Sequence, residues 1–307
     1  MQHSQELLIH LFRLVIRLYL LFLAMRCGVL TILELTLLVW VGSFAAGFLG
    51  ALTGLGGGVI IVPMLTIVFH VDIRYAVGAS LVSVIATSSG AASAYVREGF
   101  SNIRIGMFLE IATTLGAIAG AYLAGVTPTN IIAIVFGVVL AFSAYLSFQP
   151  RDENVRQNGG DRIALLLRMD GDYPTRTGKQ PYRVYHVPEG FGLMFVAGTL
   201  SGLLGIGAGA AKVLAMDQIM RIPFKVSTTT SNFMIGVTAA ASAGIYLSRG
   251  YIDPGLAMPV MLGVLLGSMT GARVLVQART RRLRLVFSAI VLILAIEMVF
   301  EGATGRI

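Results

Sequence analysis

The chain superposes on itself. Shifted by 151 residues, positions 47–121 lie over 198–272 without a gap, and glycine falls on glycine along the way. Gly47, Gly54, Gly56 and Gly58 meet Gly198, Gly205, Gly207 and Gly209. Ser80 then meets Ser231, Thr87 meets Thr238, Tyr95 meets Tyr246 and Gly99 meets Gly250, and Gly116 and Gly120 meet Gly267 and Gly271. A shared apolar alphabet gives chance matches, but not so many glycines in one register. Two copies of one unit follow.

The repeated unit is built for lipid. Hydrophobic residues fill 56% of the 307 positions and charged ones 12%, with a mean hydropathy of +0.83. A water-soluble domain keeps about a quarter of its residues charged. A helical crossing needs roughly 20 apolar residues, and such runs fall near 7–25, 33–70, 75–97, 103–125, 129–149, 189–220, 226–248, 254–276 and 283–301. The net charge of +8 sits mainly between these runs, where it reads as a topology signal and not as a nucleic-acid surface. Cys27 stands alone, so no internal disulfide framework is expected. Arg13 and Arg17 interrupt the first apolar run, which suits a retained helix, spanning or lying at the interface, better than a cleaved signal.

Four parts are expected. These are an N-terminal hydrophobic helix (1–30), a first transmembrane repeat (31–149), a cytoplasmic connector (150–188) and a second repeat (189–303). The run from 33 to 70 is too long for one crossing and is broken at Gly54-Leu55-Gly56-Gly57-Gly58, so it and 189–220 are read as bent hairpins. In the connector, Ile163–Met169 and Tyr182–Val187 flank a Gly/Pro turn and are read as a small strand pair. Leu214 stands where the first hairpin has Pro63, so the second should bend less sharply.

Charge orients the halves. The link Gly125–Thr129 carries none, whereas its counterpart Arg273–Arg284 carries Arg273, Arg279, Arg281, Arg282 and Arg284. Positive links favour the cytoplasm, so equivalent links should face opposite sides and the repeats should be inverted. The fold expectation is therefore an all-α polytopic membrane protein. It has two inverted repeats, each a glycine-broken helical hairpin followed by three transmembrane helices, in a cell membrane.

Symmetric helix breaks point to a transport site. A half-helix starting near Gly58 or Gly209 presents free N–H groups and a positive dipole end, suited to an anion. Gly56, Gly57, Gly58, Gly207 and Gly209 are therefore candidate binding residues, whereas Gly116/Gly120 and Gly267/Gly271 read as close helix packing. Lys212 lies three residues past Gly209, where the first half has Ile61. A membrane lysine costs about 2.5–3.5 kcal/mol on insertion scales, a cost met by countering a bound anion, by snorkelling or by pairing with Asp217. Among the hydroxyl clusters, Ser80, Ser231 and Asn232 are candidate donors to the anion, and bonding back to helix carbonyls is the other reading. Glu110, opposite Met261 in the repeat, either titrates and couples transport to protons or sits near a helix end with Arg104. The second reading is the stronger from sequence.

The segments GFLGALTGLGGGVIIVPML (47–65), AVGASLVSVIATSSGA (76–91), and GIGAGAAKVLAM (205–216) followed by STTTSNFMIGVTAAASAG (227–244) resemble the TauE/SafE family of sulfite exporters and sulfonate permeases. The likeness runs from about 35 to 300. It implies a secondary transporter for sulfite, a sulfonate or a related organosulfur anion, with no cofactor and no nucleic-acid partner. An anion channel, or a permease for another carboxylate or oxyanion, is the alternative. A coupling proton or ion and a homo-oligomer stay open. Ala208 departs from the family's glycine pattern and is expected to narrow the cradle. No nucleophile–base pair, metal spacing or phosphate loop argues for an enzyme.

Overall fold

The computed structural model describes residues 32–53, 57–97, 102–148, 161–175, 178–275 and 280–305. The 7–25 run, Gly54, Gly56 and part of the arginine-rich 273–284 link lie outside them.

In the first half, α1 (Ile32–Thr53) is followed by α2 (Gly58–Pro63), which runs directly into a π turn (Met64–Val68). Then come α3 (Ile73–Arg97), α4 (Ile103–Val126) and α5 (Thr129–Phe148). In the connector lie a short helix α6 (Arg162–Leu166) and the strands β1 (Gly171–Thr175) and β2 (Gly178–Tyr182). The second half repeats the first: α7 (Val187–Leu204), α8 (Gly209–Leu214) with its π turn (Ala215–Ile219), α9 (Phe224–Ser248), α10 (Pro254–Leu275) and α11 (Thr280–Thr304). The bounds of α8, its π turn and α9 equal those of α2, its π turn and α3 moved by the same 151 residues. Leu214 takes φ −60°, ψ −46°, the backbone of Pro63 at φ −59°, ψ −40°. The expected blunter second bend is not found, because a helical φ needs no proline to hold it.

Both broken segments fold back on themselves. A Cβ on Gly57 would lie 3.5 Å from the Gly47 Cα, and one on Gly42 would lie 2.7 Å from the Met64 sulfur. In the second half the Tyr185 N–H donates to the Met220 carbonyl at 3.1 Å, tying the start of that hairpin to its end.

Packing between the halves is reciprocal. The first helix of each hairpin lies against the other half's fourth helix, α1 on α10 and α7 on α4. Glycine lets those backbones touch: a Cβ on Gly120 would collide with the Thr199 carbonyl, and one on Gly267 with the Phe44 carbonyl. The packing role read for Gly116, Gly120 and Gly267 is the one they fill. Equivalent helices meet head to tail. Gly78 near the start of α3 abuts Tyr251 just past α9, while Ser88 further along α3 abuts Gly236. Likewise α5 and α11 pair with Gly137 near Val299 and Gly302 near Asn130.

The outer helices are inside-out by the standards of water. Along α4, Met107, Ile111 and Leu115 form an exposed stripe at helical spacing, each more than half exposed, while Glu110, Thr113 and Ala117 point inward. Among the described residues, four helices are long and apolar enough to cross a bilayer: α1, α4, α7 and α10 over 33–50, 103–126, 187–204 and 254–271. The more hydroxyl-rich α3 and α9 pack against each other between them.

The connector is docked, not simply solvated. The Asp161 carboxylate accepts from Ile163 N–H at 3.2 Å to cap α6, and from Val187 N–H at 2.9 Å at the start of α7. Asn102 caps α4 and donates to the Met169 carbonyl (2.9 Å) and the Tyr182 hydroxyl (2.7 Å). The expected hairpin exists, but nearer the turn than read: its strands are 171–175 and 178–182, because the Asp161 cap turns 162–166 into helix. Burial pushes the Tyr182 phenol up to about 12.

Candidate functional site

The two helix breaks converge on the α3–α9 pair. A Cβ on Gly58 would sit 2.8 Å from Ser80 Oγ, 3.1 Å from Val84 and 3.3 Å from the Gly205 carbonyl of the other half. A Cβ on Gly209 would sit 2.8 Å from Ile235 and 3.9 Å from Ser231 Oγ. Val84 and Ile235 are themselves repeat equivalents, so each break rests on the matching side chain of its own half. Val84 also reaches across to Gly207, at 3.4 Å from a Cβ placed there. Gly205 (φ +67°), Gly207 (φ +70°) and Ala208 (φ 46°) all take left-handed backbone. Glycine adopts this freely, whereas for Ala208 it costs about 1–2 kcal/mol. Gly57 and Gly58 lie at the start of α2, and Gly56 is outside the described residues.

The hydroxyls are committed. Ser80 Oγ donates to the Gly205 carbonyl at 2.8 Å and Ser231 Oγ to the Gly209 carbonyl at 3.3 Å. Both serines, repeat equivalents, thus bond to backbone of the second break: Ser80 to a carbonyl that the end of α7 leaves open, Ser231 to the first carbonyl of α8. Asn232 is half-buried and its side chain has no hydrogen bond among the described residues.

Lys212 has no exposed surface at all. It neither snorkels to an interface nor faces water. Its ammonium donates to Thr238 Oγ1 on α9 at 2.5 Å. That same hydroxyl lies 2.7 Å from Glu110 Oε1 on α4, to which it donates. Thr114 Oγ1 donates to the same oxygen at 3.1 Å, and Glu110 Oε2 is buried with no hydrogen-bond partner among the described residues. A lysine of the second half and a glutamate of the first are therefore joined through one threonine hydroxyl. The helix-end reading of Glu110 is overturned: Glu110 is buried, and Arg104 instead donates to the Arg168 carbonyl at 3.3 Å. One signal in the sequence could have found this link. In the 151-residue register Lys212 falls on Ile61 and Glu110 on Met261, so both charges break the symmetry of an apolar position.

Helices α4 and α9 run parallel here, and their contacts form a ladder. Thr230 Oγ1 accepts from the Asn102 N–H (3.1 Å), Thr238 meets Glu110 one level in, and Arg249 Nη1 donates to the Ala121 carbonyl (3.1 Å) near the far end. Arg74 adds bonds to the Ala124 and Thr127 carbonyls there, so these arginines cap the C-terminus of α4.

Residues 39–298 match the family described as Sulfite exporter TauE/SafE. The chain belongs to that family. Among its relatives, the probable membrane transporter protein YunE of Bacillus subtilis is 27% identical over 268 residues, covering 84% of this chain and 94% of that one. YdhB of the same organism is 25% identical over 238 residues, covering 77% and 89%. A probable membrane transporter protein of Xylella fastidiosa is 24% identical over 271 residues, covering 87% and 96%. No solved structure matches the chain. With these relatives and its spanning helices, this TauE/SafE member is a multi-pass membrane transporter.

Proposed function

We propose that the chain is a secondary transporter for a small anion, of the sulfite or sulfonate class, working by alternating access between two inverted halves. The observation that carries this reading is Lys212, a fully buried cation on the short helix that follows the second break. A charge held inside a membrane protein away from water is costly enough to mark a pathway or a ligand. Inversion is supported by α3 running antiparallel to its equivalent α9, and α5 to α11. A twofold axis lying in the membrane plane relates helices that way.

The anion would lie at the breaks, lined by Gly56, Gly57, Gly58, Gly207 and Gly209, with Ser80, Ser231, Asn232 and Lys212 around it. Since Ser80 and Ser231 commit their protons to carbonyls, the side-chain donors left to the anion, beside the N–H groups of the breaks, are the Asn232 amide and the remaining protons of the Lys212 ammonium. On this reading the repeats are 31–149 and 189–303, and the connector at 150–188 lies in the cytoplasm.

The test is counterflow of labelled sulfite and methanesulfonate in proteoliposomes. A carrier speeds entry of label when unlabelled anion is inside, whereas a channel does not. Lys212→Ala should abolish flux while the protein still inserts. Normal uptake kinetics in that variant would remove Lys212 from the site.

A further inference from the structure

We infer that Glu110 is the proton-coupling group of this transporter, an internal anion that must be neutralised before the substrate can take its place beside Lys212. The inference rests on the transport reading above. Lys212 already has a counter-charge: through Thr238 Oγ1 its ammonium faces the Glu110 carboxylate, at 2.5 Å and 2.7 Å for the two links. Thr238 has one proton, shared between Glu110 Oε1 at 2.7 Å and the Met234 carbonyl at 2.9 Å, and its oxygen accepts from the lysine. The cluster is neutral as it stands. Adding an anion beside Lys212 would bury one uncompensated negative charge, and such a charge is expelled from a low-dielectric site unless a proton arrives with it.

Glu110 offers the place for that proton. Its Oε2 is buried and without a hydrogen-bond partner among the described residues, while Oε1 is held by Thr114 and Thr238. Proton uptake turns the carboxylate into a neutral acid, Lys212 keeps its charge, and the incoming anion becomes the new counter-ion. Net charge in the cluster is zero before and after, so one proton enters with each monovalent anion.

The surroundings leave few rivals. Helix α7 carries only Glu189, exposed in its first turn and bonded to His186; α9 carries Lys225 at its start and Tyr246 near its end; and α5 carries only Tyr145. Asp217 lies five residues beyond Lys212 on the π turn, half-buried and with partners of its own. Arg104 and Arg249 sit at the two ends of α4, both bonded to carbonyls. The repeat adds an independent argument. The position related to this cluster in the other hairpin is Ile61, Thr87 and Met261, which keeps the hydroxyl and loses both charges. The charges occur together at one of two equivalent places, as a coupled pair requires.

Methanesulfonate is the probe of choice, because it stays monovalent at experimental pH and any proton counted belongs to the protein. Proteoliposomes with a trapped pH dye should record one proton entering per methanesulfonate, and an inward proton gradient should drive accumulation. Glu110→Gln should retain exchange of label, with its pH dependence lost, and should no longer accumulate anion. Glu110→Asp keeps a titratable group but withdraws it from Thr238, so coupling should persist with a shifted pH midpoint. The inference is overturned if E110Q still accumulates methanesulfonate on a proton gradient, if folded E110Q loses exchange as well, or if E110D titrates like the parent. Where the parent exchanges sulfite but not methanesulfonate, the same gradient test is run with sulfite. A parent chain that moves neither anion sinks the transport reading and this inference with it, whereas flux without proton entry sinks this inference alone.

Discussion

Replacing Lys212 by methionine removes the charge and keeps most of the volume, which isolates the electrostatics of the buried cluster. Lys212 has no exposure and Glu110 only 8%. Each loses its water on folding and recovers the loss through Thr238. Deleting one partner of such a buried pair costs about 3–5 kcal/mol, because the other charge is left uncompensated. K212M and E110Q should each show that loss. The double variant K212M/E110Q has no charge left to strand. Replacing a whole buried pair by neutral groups of like volume ranges from about neutral to ~1–4 kcal/mol stabilising. The singles thus predict a sum near ~6–10 kcal/mol of destabilisation and the double almost none. This coupling exceeds the ~0.5–3 kcal/mol usual for neighbouring residues. Trp40, the chain's one tryptophan, lies on α1 with its carbonyl 2.5 Å from a Cβ placed on Gly263 of α10, so its fluorescence reports on the contact between the halves. Unfolding in detergent, followed by that signal, measures all three variants. A double variant that loses the sum of the singles would refute the bridged pair.

Three further outcomes test other parts of the structure. Gly120→Val drives a side chain into the Thr199 carbonyl and should destabilise the protein by about 1–3 kcal/mol or more, read as a lowered Tm of the purified chain. Ala208→Gly relieves left-handed strain and should gain up to about 1 kcal/mol after the added chain entropy is set against it; a loss of stability would mean the alanine methyl packs usefully. Tyr182 carries a pH signature. Its folded phenol is raised by burial to about 12 above the ~10 of an unfolded chain, so its contribution is whole below ~10 and lost as pH rises through about 12. That is worth on the order of 2–3 kcal/mol. Proteolysis of the connector should accelerate across that window, and Tyr182→Phe should remove the alkaline step.

Much of this architecture is legible in the amino-acid sequence, because glycine registers and apolar run lengths are local properties. The 151-residue offset relates α8, its π turn and α9 to their first-half equivalents to the residue, and the hairpins follow from runs too long to cross once. The connector is less legible. Whether polar residues such as Asp161 and Asn102 face water or cap a helix depends on what docks beside them. The site is legible in part. Lys212 stands out as a charge in an apolar run, but its partner sits in the other half of the chain, and no local pattern pairs residues about 100 positions apart. Ser80 and Ser231 have the chemistry of donors to an anion. In the fold their protons go instead to the Gly205 and Gly209 carbonyls on either side of the second break, a pairing set by how the hairpin folds.

The exchange of helices between halves carries a consequence for biosynthesis. Helix α1 emerges early, yet the surface it packs against, α10, ends at Leu275. At ~5–20 residues per second, synthesis of the ~200 residues between them takes roughly 10 to 40 seconds. Through that interval the face of α1 that will meet α10 waits for its partner. A ribosome stalled ahead of Pro254 would leave that helix waiting, a half-built membrane protein for quality control to find.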